Sequence, residues 1–249
     1  MTIYSVSDAY KTAIRARTRT DRVTGTLTLT NGTVLDLDAA LNCVEEDSAL
    51  SGLPLLLFGH SWGGYAAAEI LAYDHDVTAS VSLSGYAVPM KMMCETASDY
   101  CGPAAYLGAP FVLLHQWVLF GSAANGSAVD AGNGCAVPIL IVQGLADTTV
   151  RPDGAALSAQ REKLTNPKVK ILLLEGENHM SLLRPHTQEY TDYVAQINRA
   201  YAALYDTYGG EIPQDVRAEF YAGVDKSITG GVWRELMQRI DVFYRAALA

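Results

Sequence analysis

From about residue 40 onward the chain alternates between two hydrophobic rhythms. Short continuous apolar runs stand at "LPLLLFG" (53–59), "VTASVSLSGY" (77–86), "VPILIVQG" (137–144) and "VKILLLEG" (169–176). Runs of that length, bounded by glycine and polar residues, have the character of strands covered on both faces. Segments at helical spacing separate and follow them: "LDAALNCVEEDSAL", "YAAAEILAY", "DGAALSAQREKL" and "QEYTDYVAQINRAYAALY". The alternation predicts βαβ units, hence an α/β fold with a mostly parallel sheet and flanking helices. The segments that leave the four runs, at Ser61, "SGY", "GLAD" and "GENH", then share one rim, and parallel sheets take their ligands at the carboxyl ends of strands.

Three regions break the rhythm. Residues 1–33 form an atypical N-terminal arm, in which "RVTGTLTLTNGTVLDLD" alternates around Asn31-Gly32 and predicts a tight β-hairpin. Within the core, 34–206, an excursion at about 87–135 has no strand character and suggests a helical cap inserted over the rim. Its apolar residues line an acyl pocket on one reading and pack on one another on the other. Residues 207–249 form a helical tail with two amphipathic segments, "PQDVRAEFYAGVD" and "VWRELMQRIDVFYRAAL".

Composition narrows the function classes. At 249 residues, 49% hydrophobic and 18% charged, the chain suits a globular domain with a sizeable core. A net charge of −9, with basic residues scattered apart from "IRARTRTDR", lacks the footprint needed to track nucleic-acid phosphates. The opening "MTIYSVSDAYK" has no signal pattern, and the longest apolar stretch, "GAPFVLLHQWVLFG", is too short to span a bilayer. A cytoplasmic protein with no membrane partner is expected. Four cysteines without a C-x-x-C pair read as reduced thiols, although Cys94 and Cys101 could pair in an oxidising compartment.

The candidate chemistry lies in "FGHSWGG". G-x-S-x-G alone arises by chance in roughly one such chain in ten, and a small residue in a tight turn is the plain alternative, so its context decides. A serine nucleophile needs exposure on a rigid support, a base in reach and an acid that orients the base. Strand, sharp turn and helix in "LLLFGHSWGGYAAAEIL" supply the support, with small residues at 59, 63 and 64 letting helix and strand approach closely. The backbone amide of Trp62 is one oxyanion donor; a second is unidentified. Of five histidines, His60 points away from its neighbour Ser61, His75 and His115 lie elsewhere, and His186 lies past the candidate loop. His179, directly after the last apolar strand, is the candidate base. Asp147, in the loop after the third strand, is the candidate acid, whereas Asp153 in "RPDG" suits a turn.

"GHSWGG", "GLADTTV" and "GENHM", in that order and with matching elements between them, resemble the nucleophile, acid and histidine loops of the α/β-hydrolase superfamily, closest to bacterial esterase-like members with a capped site. The resemblance covers about residues 34 to 205. It implies that Ser61 is acylated, that His179 acts as base and then acid, and that Asp147 holds the histidine tautomer, with no metal or organic cofactor. The expected activity is cleavage of small carboxylic esters, with esterase, thioesterase, lactonase and peptidase unresolved. The chain departs from the family upstream, where a shortened or replaced N-terminal region stands in place of several strands. That departure supports an alternative, a non-catalytic structural or binding module on a truncated hydrolase core. It also leaves one sheet edge open, which invites a homodimer through that edge.

Overall fold

The computed structural model describes residues 33–47 and 50–249. Its sheet has four strands, β1 (Leu55–His60), β2 (Val77–Leu83), β3 (Ile139–Gly144) and β4 (Val169–Leu174), in that spatial order and parallel throughout. Each strand falls within one of the four apolar runs, except that β1 runs one residue beyond its run, to His60. Successive side chains alternate across the sheet, so β3 sends Ile139 and Ile141 to one face and Leu140 and Val142 to the other. The central strands β2 and β3 are covered on both faces, and each such buried side chain contributes about 1.5–3 kcal/mol of hydrophobic stabilisation; the outer strands, expected to be covered likewise, leave Leu56 and Phe58 of β1 and Leu173 of β4 exposed.

The first face carries α1 (Thr33–Glu46), α2 (Trp62–Glu69) and α5 (Ala128–Asn133), through Val34, Leu41, Tyr65, Ala66, Ile70 and Val129. The second carries the C-terminal helix α9 (Arg234–Leu248), whose Leu236, Ile240 and Phe243 pack with Leu182 on Ala79, Val81 and Leu83. The second amphipathic segment of the tail therefore docks on the sheet. The first forms α7 (Gln214–Ala222), which with α6 (Gln188–Thr207) buries no residue. A short helix, α8 (Lys226–Thr229), lies between α7 and α9 and is tied to α6 where the Asp225 amide donates to the Tyr193 hydroxyl at 2.7 Å.

Two local expectations are corrected. "TVLDLD", the expected second arm of the hairpin, is the start of α1. Its alternation also places Val34, Leu37 and Leu41 at helical spacing, and packing against α2 selects that reading; the Asn31-Gly32 turn lies outside the described residues. "DGAALSAQREKL" forms only a 3₁₀ helix, Leu157–Lys163. Ala156 pairs with Tyr86 in an antiparallel bridge, with Ala87 N–H donating to Ala155 O at 2.9 Å and Leu157 N–H to Gly85 O at 2.8 Å, so no helix can begin before that point.

The excursion after β2 is helical. It comprises α3 (Pro89–Cys101), a 3₁₀ turn Pro103–Gly108, α4 (Ala109–Phe120), a second 3₁₀ turn Gly121–Asn125, and α5. Its base is anchored to the loop after β3: Glu95 accepts from the Ala155 amide at 2.9 Å, Arg151 pairs with Asp99 at 3.1 Å, and Lys91 donates to Gly154 O at 2.6 Å. Its outer part buries almost nothing, and α4 buries no residue at all. The apolar helical run is thus longer than the 14-residue stretch suggests, since Pro103–Asn133 is a 31-residue run apolar enough by length and composition to cross a membrane. It is broken at Gly121, whose φ of 57° ends α4. Cys94 and Cys101 are unbridged.

Candidate active site

Ser61 sits between the end of β1 and the first residue of α2 with φ 56° and ψ −116°. A non-glycine residue in that region is strained, at a cost on the order of 1–3 kcal/mol, and persists only where its surroundings enforce it. Here the Ser61 amide donates to Leu83 O at 2.8 Å and its carbonyl accepts from Tyr65 at 3.1 Å. Glycines permit the turn to close: a Cβ on Gly59 would lie 1.9 Å from Gly63 O, and one on Gly64 2.8 Å from Leu83 O. Gly85, which the sequence did not single out, is equally required, because its Cβ would lie 2.7 Å from the Gly64 backbone. Gly63 has open space around it, so its smallness is not what the approach needs.

Asp147 and His179 are in contact. His179 Nδ1 and Asp147 Oδ2 are 2.8 Å apart, each in the loop that leaves its strand, β4 and β3 respectively. Asp147 is 2% exposed and fully engaged. Its Oδ1 accepts from the Thr149 and Val150 amides at 2.8 and 2.9 Å, and its Oδ2 also accepts from Gln143 Nε2 at 3.2 Å. Burial pushes its carboxyl up, but the hydrogen bonds from His179 and from the Val150 amide outweigh it and hold its pKa below the ordinary carboxylate value. With Nδ1 directed at Asp147, the His179 tautomer that donates there leaves Nε2 as an acceptor.

The His179 loop is held from two sides. Asn178 Oδ1 accepts from the Met180 and Ser181 amides, both at 3.0 Å. His60 Nε2 donates to His179 O at 2.8 Å, and the two imidazoles lie 4.6 Å apart. Burial pushes the His60 pKa below the ordinary histidine value despite that carbonyl, which keeps the ring neutral at pH 7. His60 therefore links the Ser61 turn to the His179 loop, a supporting role rather than proton transfer. The Ser61 hydroxyl itself makes no hydrogen bond to His179 among the described residues; hydrogen bonds of this type are often long before substrate binds.

The other candidates are placed apart. His186 bonds to Ser181 O at 3.0 Å and stacks on Trp233, His75 lies between Asp38 and Glu45 of α1, and His115 is exposed on α4. Asp153 is exposed in its turn. Trp62 begins α2, so its amide is one of the four that have no acceptor within the helix. Among the described residues no strand precedes β1, and no second amide is assigned to an oxyanion. No group of three or more metal-ligating side chains occurs among them either.

Two residues escaped the sequence reading. Gln143 is fully buried at the end of β3, where its Nε2 also reaches Val150 O at 3.1 Å and so braces the loop that carries Asp147. A lone amide in the otherwise apolar "PILIVQG" was its signal. Glu95, which fixes the cap base to the same loop, sits in polar surroundings that offered none.

A four-stranded parallel sheet, helices on both faces, and a strained serine turn on the same rim as an Asp–His pair define an α/β-hydrolase, of the serine-hydrolase class. The prolyl oligopeptidase family matches residues 23–199, and the chain belongs to that family. No curated protein matches the chain. Among solved structures, it is similar to the esterase Pf2001 of Pyrococcus furiosus (16% identity, 63% of this chain and 56% of that one, TM-score 0.44). It is also similar to MGS-MChE2, an α/β-hydrolase from a lagoon-sediment metagenome (13%, 71% and 74%, TM-score 0.42), and to a puromycin-hydrolyzing peptidase of Mycobacterium tuberculosis (24%, 59% and 22%, TM-score 0.43). The chain spans about a fifth of the length of a puromycin hydrolase and a little over half that of Pf2001.

Proposed function

We propose that the chain hydrolyses small carboxylic esters through an acyl-enzyme, with Ser61 as nucleophile, His179 as base and then acid, and Asp147 as the group that orients it. What carries this reading is the 2.8 Å Asp147–His179 contact on the rim that also bears the strained Ser61 turn. Ser61 Oγ attacks the ester carbonyl carbon while its proton passes to His179 Nε2, and the resulting oxyanion takes the Trp62 amide as a donor. Collapse expels the alcohol, which leaves with the proton from His179. A water molecule then repeats the sequence on the acyl group, returning the proton to Ser61. Asp147, ionised at neutral pH, stabilises the imidazolium formed in each half. None of these steps uses a metal or an organic cofactor.

Labelling by a fluorophosphonate, with hydrolysis of p-nitrophenyl acetate and butyrate, tests this on the native chain and on Ser61→Ala. The native chain is expected to label and turn over, and the variant to do neither. Parallel assays with aminoacyl p-nitroanilides separate ester from peptide-type substrates, which matters because the structurally similar proteins include both an esterase and a peptidase. The β1 edge, which has no strand beyond it among the described residues, and the single identified oxyanion donor favour a second reading, a non-catalytic module. Equal silence of the native chain and Ser61→Ala would establish it over the enzyme.

A further inference from the structure

The outermost part of the cap has the chemistry of an interface. From Gly102 to Val129 no Asp, Glu, Lys or Arg occurs, in a chain that is 18% charged. Within that stretch Phe111, Leu114 and Val118 of α4 follow one another at intervals of three and four, the spacing of the apolar seam with which one helix packs along another, and Leu107, in the 3₁₀ turn that precedes α4, stands four residues before Phe111. These four are among the most exposed apolar side chains described, with Leu107 at 79%, Phe111 at 75% and Val118 at 70%. Tyr106 and Trp117 flank them, each about half exposed. A helix that is apolar all round is stable in water only when buried, yet among the described residues α4 buries no residue.

We propose that this seam is the surface through which two copies of the chain associate, α4 packing along α4 of the second copy about a twofold axis. Three observations select that occupant. The six side chains named expose roughly 800 Å² in all, at about 150–250 Å² for each large side chain, which is about what one partner contributes to a standard stable interface and more than the 300–600 Å² of the largest apolar patch on a typical monomer. The patch is self-complementary, since a charge-free apolar seam meets its own copy without repulsion although each chain carries a net charge of −9. Its centre is aromatic and aliphatic with charges excluded, the composition of interface cores. A lipid surface fits less well. Helices that lie on membranes keep a basic polar face, which α4 lacks; and although the 31-residue run Pro103–Asn133 is long and apolar enough to cross a membrane, it is broken at Gly121 into shorter pieces, of which α4, with 12 residues, reaches only about 18 Å against a hydrocarbon core of roughly 30 Å. The β1 edge, the other surface left open among the described residues, is partly closed because the Tyr244 hydroxyl donates to the Leu57 carbonyl.

Sedimentation velocity on the full chain from 1 to 100 µM tests the proposal. The native chain should sediment as a dimer of the 26.8 kDa protein, and Phe111→Asp/Val118→Asp should raise the dissociation constant at least roughly a hundredfold, with unchanged far-ultraviolet circular dichroism. Phe58→Asp, on β1, should remain dimeric. A photo-crosslinking residue at position 114 supplies a second readout that leaves the patch apolar, and the linked peptides should both come from residues 102–133. A monomer at 100 µM overturns the proposal. So does dissociation by Phe58→Asp in place of the cap variant, a crosslink that maps outside the cap, or flotation of monomers with phosphatidylcholine vesicles.

Discussion

The rim of the sheet and the outer cap are built from equally apolar sequence and meet opposite fates. On the sheet every large side chain of β3 is buried, and Gln143 Nε2 and the Thr149 and Val150 amides all donate to Asp147, which is paired with His179. On α4, a run just as apolar is left facing solvent. The difference is that strand residues of a parallel sheet are enclosed by the βα units on either side of them, whereas an inserted helix is enclosed only by what its own tertiary neighbours provide. Apolar sequence therefore marks surface that must be buried, without saying whether the same chain buries it.

The sharpest way to break this contrast is through the site. His179→Ala and Asp147→Asn should each lower kcat/KM for p-nitrophenyl acetate by roughly 10⁴-fold, while His186→Ala, outside the constellation, should stay within about threefold of the native chain. Loss of activity in His186→Ala with retention in His179→Ala would place the base elsewhere. Next in size, Ile141→Ala in the core should cost about 2–5 kcal/mol in urea denaturation. Leu114→Ala on α4, measured in dilute protein, should cost less than about 0.5 kcal/mol. Equal costs would mean that α4 is as well packed as β3.

A finer comparison sets Gly59 against Gly63, two positions from the same turn. Gly59→Ala should destabilise by about 1–3 kcal/mol, because its Cβ would collide with Gly63 O. Gly63→Ala, in open space, should be neutral to slightly stabilising by chemical denaturation. A pH-dependent effect concerns Glu69, which is buried at the end of α2 and whose pKa burial, aided by Asp130, pushes up to about 7. A carboxyl raised in the folded state binds its proton more tightly there than in the unfolded chain, so stability falls as pH rises from about 4.5 to 7. Glu69→Gln should flatten that fall, gaining on the order of 1–2 kcal/mol over the native chain at pH 8 relative to pH 5. Parallel pH dependences in the two proteins would contradict it.

Much of the fold was legible before any coordinates. The four apolar runs mark the four strands to within one residue, and the order of the loops bearing Ser61, Asp147 and His179 identified the family's arrangement, because strand burial and turn chemistry are local requirements that leave a local trace. Gly59 and Gly64 were legible for the same reason. Gln143 left only a faint trace, one amide in an apolar strand, and Glu95 left none, since its partner amide at Ala155 is sixty residues away. The segment from Thr33 to Asp38 shows a pattern that fits either secondary structure, and only contact with α2 resolved it into helix.

What the sequence determined by itself was the parallel sheet, the sharp turn at Ser61 and the candidate acid and base, each dictated by a period or a motif within a few residues. Tertiary structure decided the rest: the Asp147–His179 contact, the bracing by Gln143 and His60, the cap's attachment through Lys91, Glu95 and Asp99 to the loop after β3, and the exposure of α4. These depend on which distant groups share one space, and a linear pattern carries no record of that until the chain closes on itself.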